Sequence, residues 1–146
     1  METSGFTGIA WIGRSAWAYP ALESLHIVGI ALLVGNLVLV ELRVWGLHAD
    51  LPMWALARAA LPVSVLGFGL IALSGVLMFA AAPDELLSSR IFTIKIGLVL
   101  LAGLNATMFH ARGGLAKVDR TARLQTALSL GLWVLVIILG RWIAYE

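Results

Sequence analysis

The sequence predicts an all-α membrane protein whose four transmembrane helices form an up-down-up-down bundle. Three observations predict it. The composition is 61% hydrophobic and 12% charged, against roughly 25% charged for a soluble domain. The apolar residues gather into four blocks, approximately residues 20–44, 57–82, 89–112 and 122–145, and a helix rising about 1.5 Å per residue needs roughly 20 residues to cross about 30 Å of hydrocarbon. The connections between blocks are short, which makes neighbouring spans antiparallel. A soluble core would need polar faces over these blocks, and they carry almost none. The 146 residues therefore read as a single four-helix transmembrane domain.

Taken in order, the first fourteen residues, "METSGFTGIAWIGR", alternate small, polar and aromatic types, as a short helix lying in the membrane interface would. Glu2 and the lack of a basic stretch before an apolar run argue against a cleaved signal, so the first span is expected to stay in the mature protein. Pro20 suits the first turn of span 1, where its missing N–H costs little. The link "APDELLSSR" reads as a compact turn with helix-starting signals, because Asp84, Glu85, Ser88 and Ser89 all favour helix N-termini. "ARGGLAKVDRTAR" combines a Gly113-Gly114 stop with a basic tail. Gly29, Gly35, Gly67, Gly69 and Gly75 are spaced so that helices can approach closely, or equally are glycines of the kind membrane helices ordinarily tolerate.

Six of the ten Lys and Arg (Arg43, Arg58, Arg112, Lys117, Arg120 and Arg123) flank the loops joining spans 1–2 and 3–4. Arg14, Arg90 and Arg141 lie on the other side, with Lys95 inside span 3. This bias predicts those two loops in the cytoplasm and both termini outside, in a bacterial cytoplasmic membrane. Trp11, Trp17, Tyr19, Trp142 and Tyr145 then form an outer aromatic belt, and Trp45 and Trp54 an inner one. The formal charge of +2 comes from loop arginines, and no basic and aromatic pattern suggests nucleic acid. The absence of cysteine excludes disulfides, thiolate metal sites and Cys-attached haem.

An ionisable side chain at membrane depth costs about 2.5–3.5 kcal/mol on insertion scales, so each one needs a partner or a task. Glu23 and His26 fall in the outer third of span 1, three apart and on one face. Lys95 enters span 3 at a similar depth, and Arg141 leaves span 4 near it. Glu23, His26, Lys95 and Arg141 therefore make an outer constellation. Glu41, Arg43, Arg58, Asn105, His110 and Arg123 belong to the cytoplasmic side, where Glu41 is expected to pair with an arginine. His26 and His110 stand roughly 20 Å apart along the membrane normal, too far to share one iron or copper ion. Neutral imidazole is a common metal ligand and an axial ligand of haem iron, which singles out His26. A structural hydrogen bond is its plainer role. His110 reads equally as an interfacial residue at a helix C-terminus, and Lys95 and Arg141 as residues snorkelling to headgroups.

The "LH" pair in "ESLHIVGIALLVGN", the lysine and terminal histidine of "FTIKIGLVLLAGLNATMFH", the stretch "GFGLIALSGVLMF" and the ending "GRWIAY" resemble one another's counterparts in a known group. They look like a small four-span bacterial family related to the copper-resistance D membrane proteins and the HemJ-type protoporphyrinogen oxidases. The resemblance implies a four-helix membrane bundle that binds haem b through the span-1 histidine, matched here by His26. Lys95 matches the span-3 lysine and His110 the histidine that ends that span. The chain lacks the charged, Asn-rich stretch that precedes the last span in HemJ-type proteins, which weighs against porphyrinogen oxidation. Its methionines, Met1, Met53, Met78 and Met108, are scattered, which weighs against copper.

The leading expectation is a haem-b protein of electron transfer or other redox function, with His26 as metal ligand. In it Lys95 is a second ligand or a propionate partner, Arg141 a propionate partner, and Glu23 the residue orienting the imidazole. Trp133 and Phe109 are candidates to flank the macrocycle. The alternatives are a transporter or accessory subunit without a prosthetic group, and a copper-handling membrane protein. Contact with the lipid bilayer is expected throughout, with assembly into a homo-oligomer or a larger membrane complex as a further expectation.

Overall fold

The computed structural model describes residues 10–146, and residues 1–9 of the expected interfacial helix lie outside the described residues. The described part of that helix is α1, Ala10–Arg14. The four spans are α2, Ala18–Val44; α3, Met53–Ala81; α5, Arg90–Ala111; and α7, Arg120–Trp142, extended by a 3-10 turn at Ile143–Tyr145. Two short helices complete the chain: α4, Pro83–Ser88, and α6, Gly114–Lys117. All four spans are long and apolar enough to cross a membrane, and no strand occurs among the described residues. The protein is an all-α four-helix membrane bundle.

Local chemistry sets the ends of the spans. α2 stops where Gly46 takes a left-handed φ of 95°, with its N–H donating to the Arg43 carbonyl; glycine adopts that conformation at no steric cost. α3 starts directly after Pro52, four residues before the expected boundary, because Pro52 holds the extended backbone that precedes a helix. Pro62 lies inside α3 without ending it, as membrane helices tolerate when neighbours satisfy the freed backbone. The expected turn between spans 2 and 3 closes into α4, after which the Ser89 hydroxyl accepts the Phe92 N–H and caps α5. Asp119 caps α7 by accepting the Ala122 N–H at 2.8 Å. The Glu146 carboxylate folds back on the start of α5, accepting from the Ser89 hydroxyl and the Arg90 N–H.

The spans pack as two hairpins. α2 lies along α3, and α5 along α7; the hairpins meet mainly through α2 and α7. α3 and α5 are consecutive spans but do not pack along their lengths. They touch near the termini, where Phe79 stacks on Phe92 at 5.8 Å. The lateral order is therefore α3, α2, α7, α5, with α3 and α5 at the two outer positions. The tightest contact is between α2 and α3: a Cβ on Gly67 would stand 2.6 Å from the Leu33 nitrogen and 2.7 Å from the Gly29 carbonyl oxygen. Gly35 and Gly69 face open space.

The buried apolar core sits at the end away from the termini, hereafter the loop end, and includes Val40, Val44, Met53, Ala57, Ala60, Phe109, Leu115 and Ala122. There the Trp45 indole donates to Thr126 at 2.8 Å, tying the two hairpins together. Leucine, isoleucine and valine side chains such as Ile27, Val65, Leu73, Leu100, Leu104 and Ile138 point outward, as lipid-facing residues do.

Candidate functional site

His26 lies in the first third of α2, turned toward α3. Its Nδ1 is 2.9 Å from the Ser74 hydroxyl, and Ser74 is fully buried. The Ser74 Oγ also lies 2.6 Å from the Leu70 carbonyl and 3.2 Å from that of Ile71. A hydroxyl has one proton to give, and the backbone carbonyls claim it. The Ser74 hydroxyl is thus free to accept from His26, whose ring is also hydrogen-bonded to the Ile71 backbone. Gly75, the next residue, lies beside the ring, its Cβ position 3.6 Å from Cε1.

Lys95 approaches from the other hairpin. Its side chain runs across Gly140 of α7, with Nζ 3.3 Å from where a Cβ would be. Its charge is close enough to act on the His26 ring. No carboxylate of the described residues forms an ion pair with Lys95. The Phe79–Phe92 stack lies about one turn nearer the termini on the same two helices that carry Ser74 and Lys95. An imidazole from one hairpin and an amine without an ion pair from the other thus share a level near the termini. Such a pair suits a ligand with an electron-pair acceptor and an anionic arm.

The other residues singled out in the sequence make their contacts with other groups. Glu23 is exposed, and its charge acts on Tyr19 one turn back. Arg141 is also exposed; its guanidinium donates to the Tyr145 hydroxyl at 2.8 Å and lies 5.0 Å from the centre of that ring. His110 is at the loop end, exposed, with its ring edge-on to Phe109 at 5.2 Å. Phe109 is buried there beneath Gly114, away from His26, and Trp133 is half-buried on α7. Among the described residues no group of three or more His, Cys, Asp or Glu side chains converges as a metal site would require.

Two features were not anticipated. Ser74 and Gly75 fall within "GFGLIALSGVLMF", where a small polar residue reads as packing; only the histidine opposite gives the serine a role. Glu41 departs from the expected ion pair. It is 5% exposed, its Oε2 has no hydrogen-bond partner, and the Ser129 hydroxyl of α7 is the polar group that reaches the carboxyl. The nearby arginines are bound elsewhere: Arg43 donates to the Leu51 and Ala49 carbonyls, and Arg58 to that of Trp54. Carbonyls of the α2–α3 connection compete successfully for the Arg43 guanidinium.

Comparison with known proteins found no matching family model, no matching curated protein and no matching solved structure.

Proposed function

We propose that this protein binds haem b in the bacterial cytoplasmic membrane and serves electron transfer, with His26 as the residue that would hold the iron. The observation that supports this reading is the hydrogen-bond chain from His26 Nδ1 to Ser74 and on to the Leu70 carbonyl. A ligating histidine characteristically donates its other ring N–H to a fixed acceptor, which sets the tautomer and the ring orientation. Ser74 fills that part here. Lys95 supplies a charge for a propionate at the same level. Bound haem iron would supply one-electron redox chemistry. Glu23 and Arg141 face outward and are not needed for this pairing. The excess of basic residues at the loop end supports its placement in the cytoplasm, with the termini outside.

An absorption spectrum of the protein purified in detergent tests the proposal. The expected result is a Soret band that shifts on dithionite reduction, vanishes in His26→Ala and weakens in Ser74→Ala and Lys95→Ala. Ser74→Ala should also cost about 1–3 kcal/mol of stability, since it removes a buried hydrogen-bond partner of the His26 ring. A colourless wild-type protein overturns haem binding, in favour of copper handling if copper co-purifies, or of a transporter or accessory subunit if no metal does. Haem kept by His26→Ala but lost by His110→Ala would move the ligand to the loop end.

A further inference from the structure

Glu41 is the buried ionisable group for which the redox reading has no use. It lies where α2 faces α7, one turn before the end of α2, with Oε2 buried and unpartnered and the Ser129 hydroxyl hydrogen-bonded to the carboxyl. Every neighbouring helix brings charge to this end of the bundle, and none of it is directed at Glu41. Arg43 on α2 is taken by loop carbonyls, Arg58 on α3 by Trp54, and Arg112 beyond α5 by Asp119 and Gln125. Arg123 on α7 ends beside Gly46, and His110 on α5 lies against Phe109. An ionised carboxylate sealed in this way is strongly disfavoured without a counter-charge, whereas the neutral acid is not. Burial of the carboxyl and docking of the two hairpins are one event, because α2 and α7 form the main face by which the hairpins meet.

We propose that Glu41 is a proton-binding site that latches the two hairpins: the α2–α7 interface closes over the carboxyl in its neutral form and loosens when the proton leaves. A ligand that binds one conformation and not the other stabilises the first, and here the ligand is a proton. Thr126 and Ser129, one turn apart on α7, line the approach from the loop end. Toward His26 the same side of α2 carries the apolar Leu37, Val34 and Ile30. The proposal does not rest on the haem reading.

Dicyclohexylcarbodiimide tests this on the full chain in lipid nanodiscs. The acid O–H adds across one C=N bond of the reagent, and the acyl group then migrates to nitrogen to leave a stable N-acylurea; a carboxylate lacks the proton for the first step. The expected result is one adduct at Glu41 by peptide mass spectrometry, lost at alkaline pH and lost in Glu41→Gln, with the exposed Glu23 and Glu85 unlabelled. Spin labels at Leu47→Cys and Lys117→Cys, in the exposed connections of the two hairpins, should give a distance distribution that lengthens and broadens as pH rises. In Glu41→Gln, which cannot ionise, the distribution should stay narrow throughout. No adduct on Glu41 at mildly acid pH overturns the proposal, as does an equal pH response in the wild type and Glu41→Gln. Should Glu41→Gln fail to assemble, the wild-type labelling decides alone.

Discussion

His26, Glu41 and Arg141 show how little a residue's identity says about its role inside a membrane until its direction is known. All three are ionisable groups on apolar helices. One is held by a serine, one is sealed without a counter-charge, and one turns back to Tyr145. Outside the spans the rules of soluble proteins apply. The Asp119 carboxyl is held below the ordinary carboxylate range by the Ala122 N–H and then by Arg112, 3.0 Å away. The fold thus prefers its ionised form, and the resulting stability is whole above the ordinary carboxyl value and is lost as pH falls through the lowered folded value. Asp119→Asn should melt below wild type at neutral pH in detergent, with the gap closing in acid. A gap independent of pH would assign the loss to the shape of the cap rather than to its charge.

At the scale of helices, the sequence shows the glycines of α2 and α3 but not their unequal roles. Gly29 and Gly67 let two backbones touch, whereas Gly35 and Gly69 face outward with nothing within 4 Å. Gly67→Ala must push α2 and α3 apart, since its new methyl would meet backbone atoms that cannot rotate away; a loss of about 1–3 kcal/mol is expected. Gly69→Ala meets nothing and should be neutral or gain up to about 1 kcal/mol from helix propensity. Reversible unfolding in mixed micelles compares the two, and equal effects would refute the close-contact assignment. The capping serine, Ser89, was legible because caps are local, whereas the Asp119 cap of α7 emerged only from the structure. The early start of α3 was masked by Trp54 and Arg58, which read as interfacial loop but lie on the first turns of the helix.

For the whole molecule, four spans place α4 and α6 on opposite faces of the membrane. The chain has no native cysteine, so Glu85→Cys and Lys117→Cys can each be probed singly with a membrane-impermeant maleimide in intact cells. Glu85→Cys should react and Lys117→Cys only after lysis if the basic loops are cytoplasmic. The reverse pattern would invert the bundle, and reaction of both in intact cells would contradict four spans. The division into two hairpins, with α2–α7 as their main contact, also locates both proposed sites. His26 and Lys95 come together near the termini from different hairpins, and Glu41 is enclosed near the loops by their junction.

The sequence by itself determined that the chain enters the bilayer, how many times it crosses and which polar residues share a depth. Hydropathy and a rise of about 1.5 Å per residue are properties of one dimension. Only the tertiary structure decided direction around each helix axis: that His26 faces Ser74, that Lys95 lies over Gly140, that Arg141 turns to Tyr145 and that Glu41 finds no arginine. The physical reason is that these helices are apolar on every side. A water-soluble helix betrays its inner face by a hydrophobic stripe, whereas in lipid both faces are oily, and neighbouring backbones and single hydroxyls choose which one is turned inward.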